Sequence, residues 1–348
     1  MTEKRETVVT IKDVAERAGV SVATAGRALG NYGRISEETR ERILQVAKEI
    51  NYVPNKLAQG MRSRSTNTIG VVVPDIQNNF FGGVLASMEK KARAKGYSLL
   101  ICNTNENQEI EKECLNMLDS KQVDGILLAS TFVNKDEIPP KFLRTTFRNI
   151  PMVLFDRSIE GLKTTSILTD NYLMAYKTTK YLIGLGHTDI VTIGSGKNGF
   201  KSNTVKQREA GYEAALRETG IMNGGISIDV DWQNPVEMEK KINILLDYHK
   251  VSAVIILNNS LFGGFLRILN TRKLRFPQDL SVIVWDDEAY DEFLNITAVR
   301  QPLAKMGELA VDNLIEQIES DHIVNEAMTI TLNGQLIKRT SCKIKINS

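Results

Sequence analysis

The sequence predicts an α/β protein: a body of doubly wound parallel sheets in two lobes, preceded by an all-α head with a helix-turn-helix and a short hinge helix. Three observations predict it. From Thr68 onward, short apolar runs alternate with helical stretches, the pattern of strand–helix–strand units. Before Thr68 the apolar spacing is helical only. At their junction Ser63–Thr68, Ser-Arg-Ser-Thr-Asn-Thr, is a polar linker.

In the head, Ile11, Val14, Ala15 and Ala18 recur at i, i+3, i+4 and i+7, one stripe of an amphipathic helix. Thr10 is its expected N-cap, with Asp13 three residues on in a variant of the capping box. Gly19 supplies a turn, and Ser21 caps a second helix to about Leu29. Ala25, Ala28 and Leu29 share one face of it; Val22, Ala23, Gly26 and Arg27 lie opposite and must meet something else. Ser36, Glu37 and Glu38 open a third helix whose apolar face is Ile43, Leu44, Ala47 and Ile50. The first two helices read either as a plain helical hairpin or as the pair that lays its second helix in a DNA major groove. Asn55–Ser63, after Pro54, is long enough for two helical turns; so short a helix, weakened by Gly60, needs an external partner.

Composition sets wider bounds. The 348 residues suffice for two or three domains, and 42% hydrophobic with 25% charged residues is ordinary for a globular chain. Residues 1–68 carry 12 Lys and Arg against 8 Asp and Glu, and the remainder 32 against 34. A basic head on a mildly acidic body is compatible with a phosphate-backbone partner. No apolar run approaches the roughly 20 residues that span a bilayer, and the first residues lack a signal peptide's apolar stretch. Cys102, Cys114 and Cys342 are too few and too scattered for a disulfide framework. A cytoplasmic location is expected.

Three stretches, Val9-Thr-Ile-Lys-Asp-Val-Ala-Glu-Arg-Ala-Gly-Val-Ser-Val-Ala-Thr, Ser36-Glu-Glu-Thr-Arg-Glu-Arg-Ile and Asn51-Tyr-Val-Pro-Asn-Lys-Leu-Ala, stand in the order and spacing of the lac-repressor (LacI/GalR) family, which the head resembles. The resemblance implies that Val22, Ala23 and Arg27 read bases, that Thr10, Ser21, Thr24, Arg34, Tyr52 and Asn55 contact phosphate, and that Leu57, Ala58 and Met61 belong to a hinge placed on DNA. Met61 stands where a leucine usually wedges into the minor groove. The chain departs from the family pattern at Thr24-Ala-Gly-Arg-Ala-Leu-Gly, where Gly26 lacks a backbone-touching hydroxyl, and at Gln59, where an arginine is usual. These differences bear on the operator sequence and the tightness of binding.

In the body, Ile69–Val73, Ser98–Cys102, Gly125–Ala129, Met152–Phe155, Ser166–Leu168, Ile190–Ile193, Ala253–Leu257 and Ser281–Trp285 read as buried parallel strands. The intervening helices are Phe81–Lys95, Ile110–Asp119, Tyr172–Leu185, Gln207–Glu218, Val236–Tyr248, Phe262–Arg272 and Met306–Ile318. So many strands suit two sheets with a cleft between them. Asp75, Asn103, Asp156, Asp170, Asn258 and Asp286 stand at or just past the strands' carboxyl ends, where ligands of open α/β sheets bind. Converging carboxylates and amides suit a polyhydroxylated ligand, and Phe80, Phe81 and Trp232 are aromatic enough to stack on a sugar ring. Each polar residue read singly has a plainer role, capping the helix that follows.

The body also resembles the periplasmic ribose-binding proteins and the effector domain of the same family. That resemblance implies effector contacts at Asn78, Phe80, Phe81, Asp156, Arg157, Arg208, Asn258, Asp286 and Gln301, and more loosely at Trp232. Asn78-Asn79 lacks the proline usual before the two phenylalanines, and Asn259 stands where an aspartate is common.

Catalytic patterns are poor. His187, His249 and His322 are isolated, with no cluster at metal-ligand spacing. Gly194-Ser-Gly-Lys-Asn-Gly fails the phosphate-loop template and reads as a loop at the cleft, and Asp286-Asp287 need not point together. No catalytic residue, metal or cofactor is expected.

The resulting expectation is a DNA-binding regulator whose affinity for a palindromic operator is controlled by a small sugar or sugar derivative, working as a homodimer without a membrane partner. Its parts are a head over 1–53, a hinge helix and linker over 54–68, and an effector and dimerisation body over 69–348. The N-lobe is expected at about 69–165 and 299–322, the C-lobe at about 166–298 and 323–348. A body that answers to a corepressor or partner protein, and a solute-binding protein, are the competing readings.

Overall fold

A computed structural model of the chain describes residues 9–30, 33–52, 65–144, 149–196, 201–221, 225–320 and 328–345. Its internal contacts divide it into two units, Met1–Asn67 and Thr68–Ser348.

The described part of the first unit is three helices, α1 (Ile11–Arg17), α2 (Val22–Leu29) and α3 (Glu37–Glu49). Each is started by a side chain. The main-chain N and the Oγ1 of Thr10 both donate to Asp13 Oδ2, at 2.6 and 2.7 Å. Ser21 Oγ accepts from Thr24 N at 3.1 Å, and Ser36 Oγ from Thr39 N at 3.4 Å. Gly19, at φ +63°, makes the α1–α2 turn in a conformation that costs other residues a Cβ clash. Val14, Ala15, Ala18, Ala25, Ala28, Ile43 and Ala47 form the buried core.

Two head residues depart from their expected faces. Gly26 is buried, because α2 packs on both neighbours and so hides a wider arc than one stripe. Leu44 is 47% exposed; it lies about 100° around α3 from Ile43, and Val46 takes its place against the core. The expected hinge helix lies outside the described residues.

The second unit holds two six-stranded sheets. The first, in the order β11-β5-β4-β3-β1-β2, is built from β1 (Thr68–Val73), β2 (Ser98–Asn103), β3 (Gly125–Leu128), β4 (Met152–Phe155), β5 (Thr165–Thr169) and β11 (Thr329–Leu332), all parallel. The second, β12-β10-β9-β8-β6-β7, comprises β6 (Ile190–Ser195), β7 (Gly225–Val230), β8 (Ala253–Ile256), β9 (Ser281–Trp285), β10 (Thr297–Arg300) and β12 (Gln335–Ile337). Only β10–β12 is antiparallel among these pairs. The helices are α4 (Asn79–Ala94), α5 (Gln108–Ser120), α6 (Pro140–Arg144), α7 (Asn171–Gly184), α8 (Asn203–Glu218), α9 (Pro235–Tyr248), α10 (Phe262–Thr271), α11 (Ala289–Phe293) and α12 (Leu303–Glu319).

Both faces of both sheets are covered. Ile69, Val71 and Val73 of β1 pack against Val84 and Met88 of α4 and Met306 and Leu314 of α12, while Val72 points the other way to Leu115 and Leu118 of α5. In the second sheet Val254 and Val284 face α9 and α10, and Ile255, Ile283 and Trp285 face α7 and α8. Burial on both sides explains why the central strands are unbroken apolar runs.

The lobes divide differently from the expectation. β5 was expected to open the C-lobe at 166; it pairs with β4 and β11 in the first sheet. β10, expected to lie partly in the N-lobe, pairs with β9 in the second, and β11 returns to the first sheet although 323–348 was assigned to the C-lobe. The chain therefore crosses between β5 and α7, between β10 and α12, and between β11 and β12. Unforeseen strands cause the discrepancy. β7, β10, β11 and β12 were not foreseen: Thr297–Arg300 is buried but only four residues long, and the edge strands Gly225–Val230 and Thr329–Leu332 are half-exposed, with alternation too brief to stand out. Among the described residues no helix is long and apolar enough to cross a membrane.

Candidate functional site

In the head, the outward surface of α2 presents Val22, Ala23 and Arg27, all exposed. The stem of Arg27 runs beside Gly33, where an added Cβ would lie 3.2 Å from Arg27 Cδ. Thr10, Ser21 and Arg34 are exposed, Thr24 is half-buried, and Ser21 and Thr24 share a hydroxyl–hydroxyl bond of 2.8 Å. Tyr52 leans on the head core. The residues Asn55, Leu57, Ala58 and Met61 lie outside the described residues.

In the body, the carboxyl ends of two strands, one per sheet, carry an equivalent feature. Asp156 directly follows β4 and Asp286 directly follows β9, at φ +60° and +68°. Both are left-handed, a conformation that concentrates at binding sites because the surroundings must enforce it. Both carboxylates are buried, at 6% and 8% exposure. Burial pushes both upward in pKa: Asp286 is held up at about 6 despite Arg208 and a 2.6 Å hydrogen bond donated by Gln301 Nε2, and Asp156 is raised despite Arg157 and Arg208.

Arg208 comes from α8 and carries charge toward both. α8 approaches α7 closely because Gly211 has no side chain; a Cβ there would stand 2.2 Å from Tyr172 O. The guanidinium donates from Nε to Asn171 Oδ1 (2.8 Å) and from Nη1 to Leu257 O (2.5 Å), with its carbon 4.3 Å from the centre of the Trp285 ring. Burial lowers its pKa to about 10, opposed by Asp286 and Asp156. Arg157 is gripped by Glu106, Nη1–Oε2 2.8 Å and Nη2–Oε1 2.7 Å, with Asp156 Oδ2 3.5 Å from its Nε. Burial alone would favour its neutral form; Glu106 more than offsets that and raises its pKa.

Six of the ten expected effector residues line two cavities; Asp156 and Arg208 are in the lining of neither, and Asn78 lines a third with Asn259 and Tyr290. Phe80, Asp286 and Gln301 line one of about 710 Å³, within the range of small-molecule sites. Arg157, Trp232 and Asn258 line another of about 30 Å³, with Glu106, Ser195 and Ser202. Phe81 is not brought to either; it packs in the core, edge-on to Phe155, because adjacent helical residues point about 100° apart. Asn78 is the N-cap of α4, accepting from Phe80 N at 3.0 Å.

The capping reading holds for some strand-end residues and not for others. Asp170 caps α7 and Asn258 the turn Asn259–Leu261, whereas Asp156 and Asp286 cap nothing. Asn259, where an aspartate was noted as common, donates to Asp286 O at 3.1 Å and to Asp291 Oδ2 at 3.0 Å. An aspartate there would set two carboxylates together. His187 is structural: Nδ1 meets Ser252 Oγ at 3.0 Å, and Nε2 meets Lys343 O and Ser281 Oγ at 3.0 and 2.9 Å. Asp287 turns from Asp286 to Arg300 and Arg339, so the two do not share a proton. His322 lies outside the described residues.

Sequence reasoning missed Glu106, Asn171 and Trp285. Glu106 follows β2 just as the recognised residues follow their strands, so the same positional signal extends to it.

Two sequence models match the chain: bacterial regulatory proteins of the lacI family over residues 10–55, and a periplasmic binding protein-like domain over 179–342. The HTH-type transcriptional repressor PurR of Vibrio campbellii is 30% identical over 348 residues, covering 98% of this chain and 100% of that protein. A lac repressor dimer bound to operator and the anti-inducer ONPF has the same fold, with a TM-score of 0.83 at 22% identity over 97% of this chain and 100% of that one. A LacI family regulator from Enterococcus faecium with bound ribose superposes with a TM-score of 0.69 at 25% identity, over 80% of this chain and all of that one. With a relative matched end to end and a helix-turn-helix head on a two-lobed body, the chain belongs to the lacI family of bacterial regulatory proteins and is a DNA-binding transcriptional regulator, not an enzyme.

Proposed function

We propose that the chain is a repressor that holds a palindromic operator as a homodimer and is switched by a small sugar or sugar derivative bound in the body. In this reading Val22, Ala23 and Arg27 read base edges, Thr10, Ser21, Thr24, Arg34 and Tyr52 contact phosphate, and residues 54–68 couple the two units. The effector occupies the cleft marked by Phe80, Asp156, Arg157, Arg208, Trp232, Asn258, Asp286 and Gln301.

The observation that carries the effector reading is the pair of buried, left-handed aspartates at two strand ends, with Arg208 charged toward both. Buried carboxylates without enough partners are costly unless a ligand supplies donors. Ring hydroxyls are such donors, and Phe80 and Trp232 offer flat apolar surface beside them. The ribose-bound relative supports the same chemistry. A ligand changes the DNA-bound fraction only through unequal affinity for the two states of the protein.

The test is a titration of the operator, with calorimetry in parallel, against a panel of pentoses, hexoses and disaccharides. One or more sugars should bind and change operator affinity by at least about tenfold, roughly 1.4 kcal/mol of coupling. A panel that binds nowhere, with a heteroaromatic base or nucleoside bound in its place, would overturn the sugar.

A further inference from the structure

The cleft contains cations, yet its hydrogen bonds leave little for an anionic ligand to use. Both terminal nitrogens of Arg157 bond Glu106, leaving only its buried Nε without a hydrogen-bond partner. Arg208 is bonded to Asn171 and Leu257 O and stands against Trp285, with the two aspartates balancing its charge. Arg300, at the edge of the larger cavity, is paired to Asp287 at 2.5 Å. Lys201, near the cleft on the α8 side, is held by Glu209 and Asp229, both at 2.7 Å. Lys305 lines the larger cavity at its exposed rim, where water screens it.

Acceptors are also left over. Gln301 is buried with no partner at Oε1, and Asp286 receives a bond from Gln301 at Oδ1. Asp156 meets Arg157 Nε at a distance too long for a strong hydrogen bond. Around the two guanidiniums stand three carboxylates, Glu106, Asp156 and Asp286.

Glu106 is placed by its backbone. It follows Asn105 in a turn where both are left-handed, at φ +57° and +52°. Glu106 N donates to Pro74 O at 3.0 Å and Asn107 N to Thr104 O at 3.0 Å, which fixes the turn against β1. Its carboxylate then meets Arg157 in the two-point geometry that matches a guanidinium, and both side chains line the small cavity with Trp232 and Asn258.

We propose that Glu106 is a specificity-determining residue: by occupying Arg157 it selects an effector that is rich in hydrogen-bond donors and carries no anionic group. A sugar phosphate or sugar acid is excluded because its charge would enter a buried site of net negative balance whose Arg157 fork is already held by a carboxylate. This rests on the reading of the cleft as the effector site.

The experiment is calorimetry on the full-length protein with matched pairs: ribose against ribose phosphate, glucose against glucose phosphate, and glucose against glucuronate, with glucosamine as a cationic member. For whichever neutral sugar binds, the anionic counterpart should be weaker by at least about thirtyfold, or roughly 2 kcal/mol. Glu106→Gln should shrink that ratio by about tenfold or more, because it frees Arg157, and Glu106→Asp should keep it. If the Gln variant does not fold, Glu106→Ser, which also removes the carboxylate, should shrink the ratio in the same way. An anionic counterpart that binds as well as its parent would overturn the proposal, as would a ratio unmoved in Glu106→Gln. If only a nucleoside binds, the sugar reading fails, while the nucleoside compared with its phosphate still decides the role of Glu106.

Discussion

Head and body bury their residues in opposite ways. Of the seven buried hydrophobic residues among the described residues of the head, five are alanine. The body buries Trp285, Tyr212, Phe132, Phe155, Phe262 and Phe265, and alongside them Arg157, Arg208, Asp156 and Asp286. Apolar burial contributes about 25 cal/mol per Å², so the head has little surplus while the body can hold charges that weaken it. The contrast separates two designs. A small core leaves the exposed face of α2 free to vary for recognition; a large one tolerates an unfavourable polar site that a ligand can relieve.

The largest expected effect breaks the head alone. Ile43 is fully buried, and truncation to alanine removes about 2–5 kcal/mol from a domain of this type. Ile43→Ala should abolish operator binding and erase the head's unfolding transition in calorimetry, while effector binding persists. Retained operator affinity would show that the head is sturdier than its core suggests.

Next is the charge that the body tolerates. Asp286 is held up at about 6, so the folded state binds its proton more tightly than the unfolded chain does. Its ionisation therefore costs stability above about pH 6, and that cost disappears as the pH falls through 6 toward 4. Asp286→Asn should stabilise the ligand-free protein by about 2 kcal/mol at pH 7.5, an advantage that fades as the pH falls from about 6 toward 4. The same change should weaken effector binding at least about tenfold, since an amide replaces an acceptor with a donor. A variant less stable than the parent at pH 7.5 would show that Arg208 compensates the burial after all.

Arg27→Ala should cost about 1–3 kcal/mol on operator DNA and much less on random sequence, if its guanidinium reads a base edge. Equal losses on both would make it a phosphate contact. The smallest effect is expected at Leu44. Half-exposed on α3, it should accept lysine with a change within about 0.5 kcal/mol; a larger loss would mean that the head core reaches further than the buried residues indicate.

Much of this was legible beforehand where the signal is local. Ser21 and Ser36 begin helices because their oxygens reach a backbone N–H three residues ahead, and Asn78 and Asp170 do the same two and three residues ahead; at Thr10 the Asp13 carboxylate reaches back instead, accepting from the Thr10 N–H and hydroxyl. The central strands were plain because burial on both faces forces unbroken apolar runs. Leu44 and Gly26 were misplaced for the converse reason: how wide an arc of a helix is buried depends on how many neighbours it packs against. The edge strands β7, β11 and β12 were missed because half-exposure dilutes their pattern, and β10 because four residues are too few to show one.

By itself, the sequence determined the two-part organisation, the helix-turn-helix and the placing of Asp156 and Asp286 at strand ends, since periodicity, capping and strand termini act over a few residues. Only the tertiary structure decided what those residues face. Arg157 and Glu106 are 51 positions apart, Arg208 and Leu257 are 49 apart, and the chain crosses between the sheets after β5, after β10 and after β11. Partners at such separations are chosen by packing of whole lobes, where a glycine such as Gly211 sets how near two helices come, and no window of neighbouring residues contains that information.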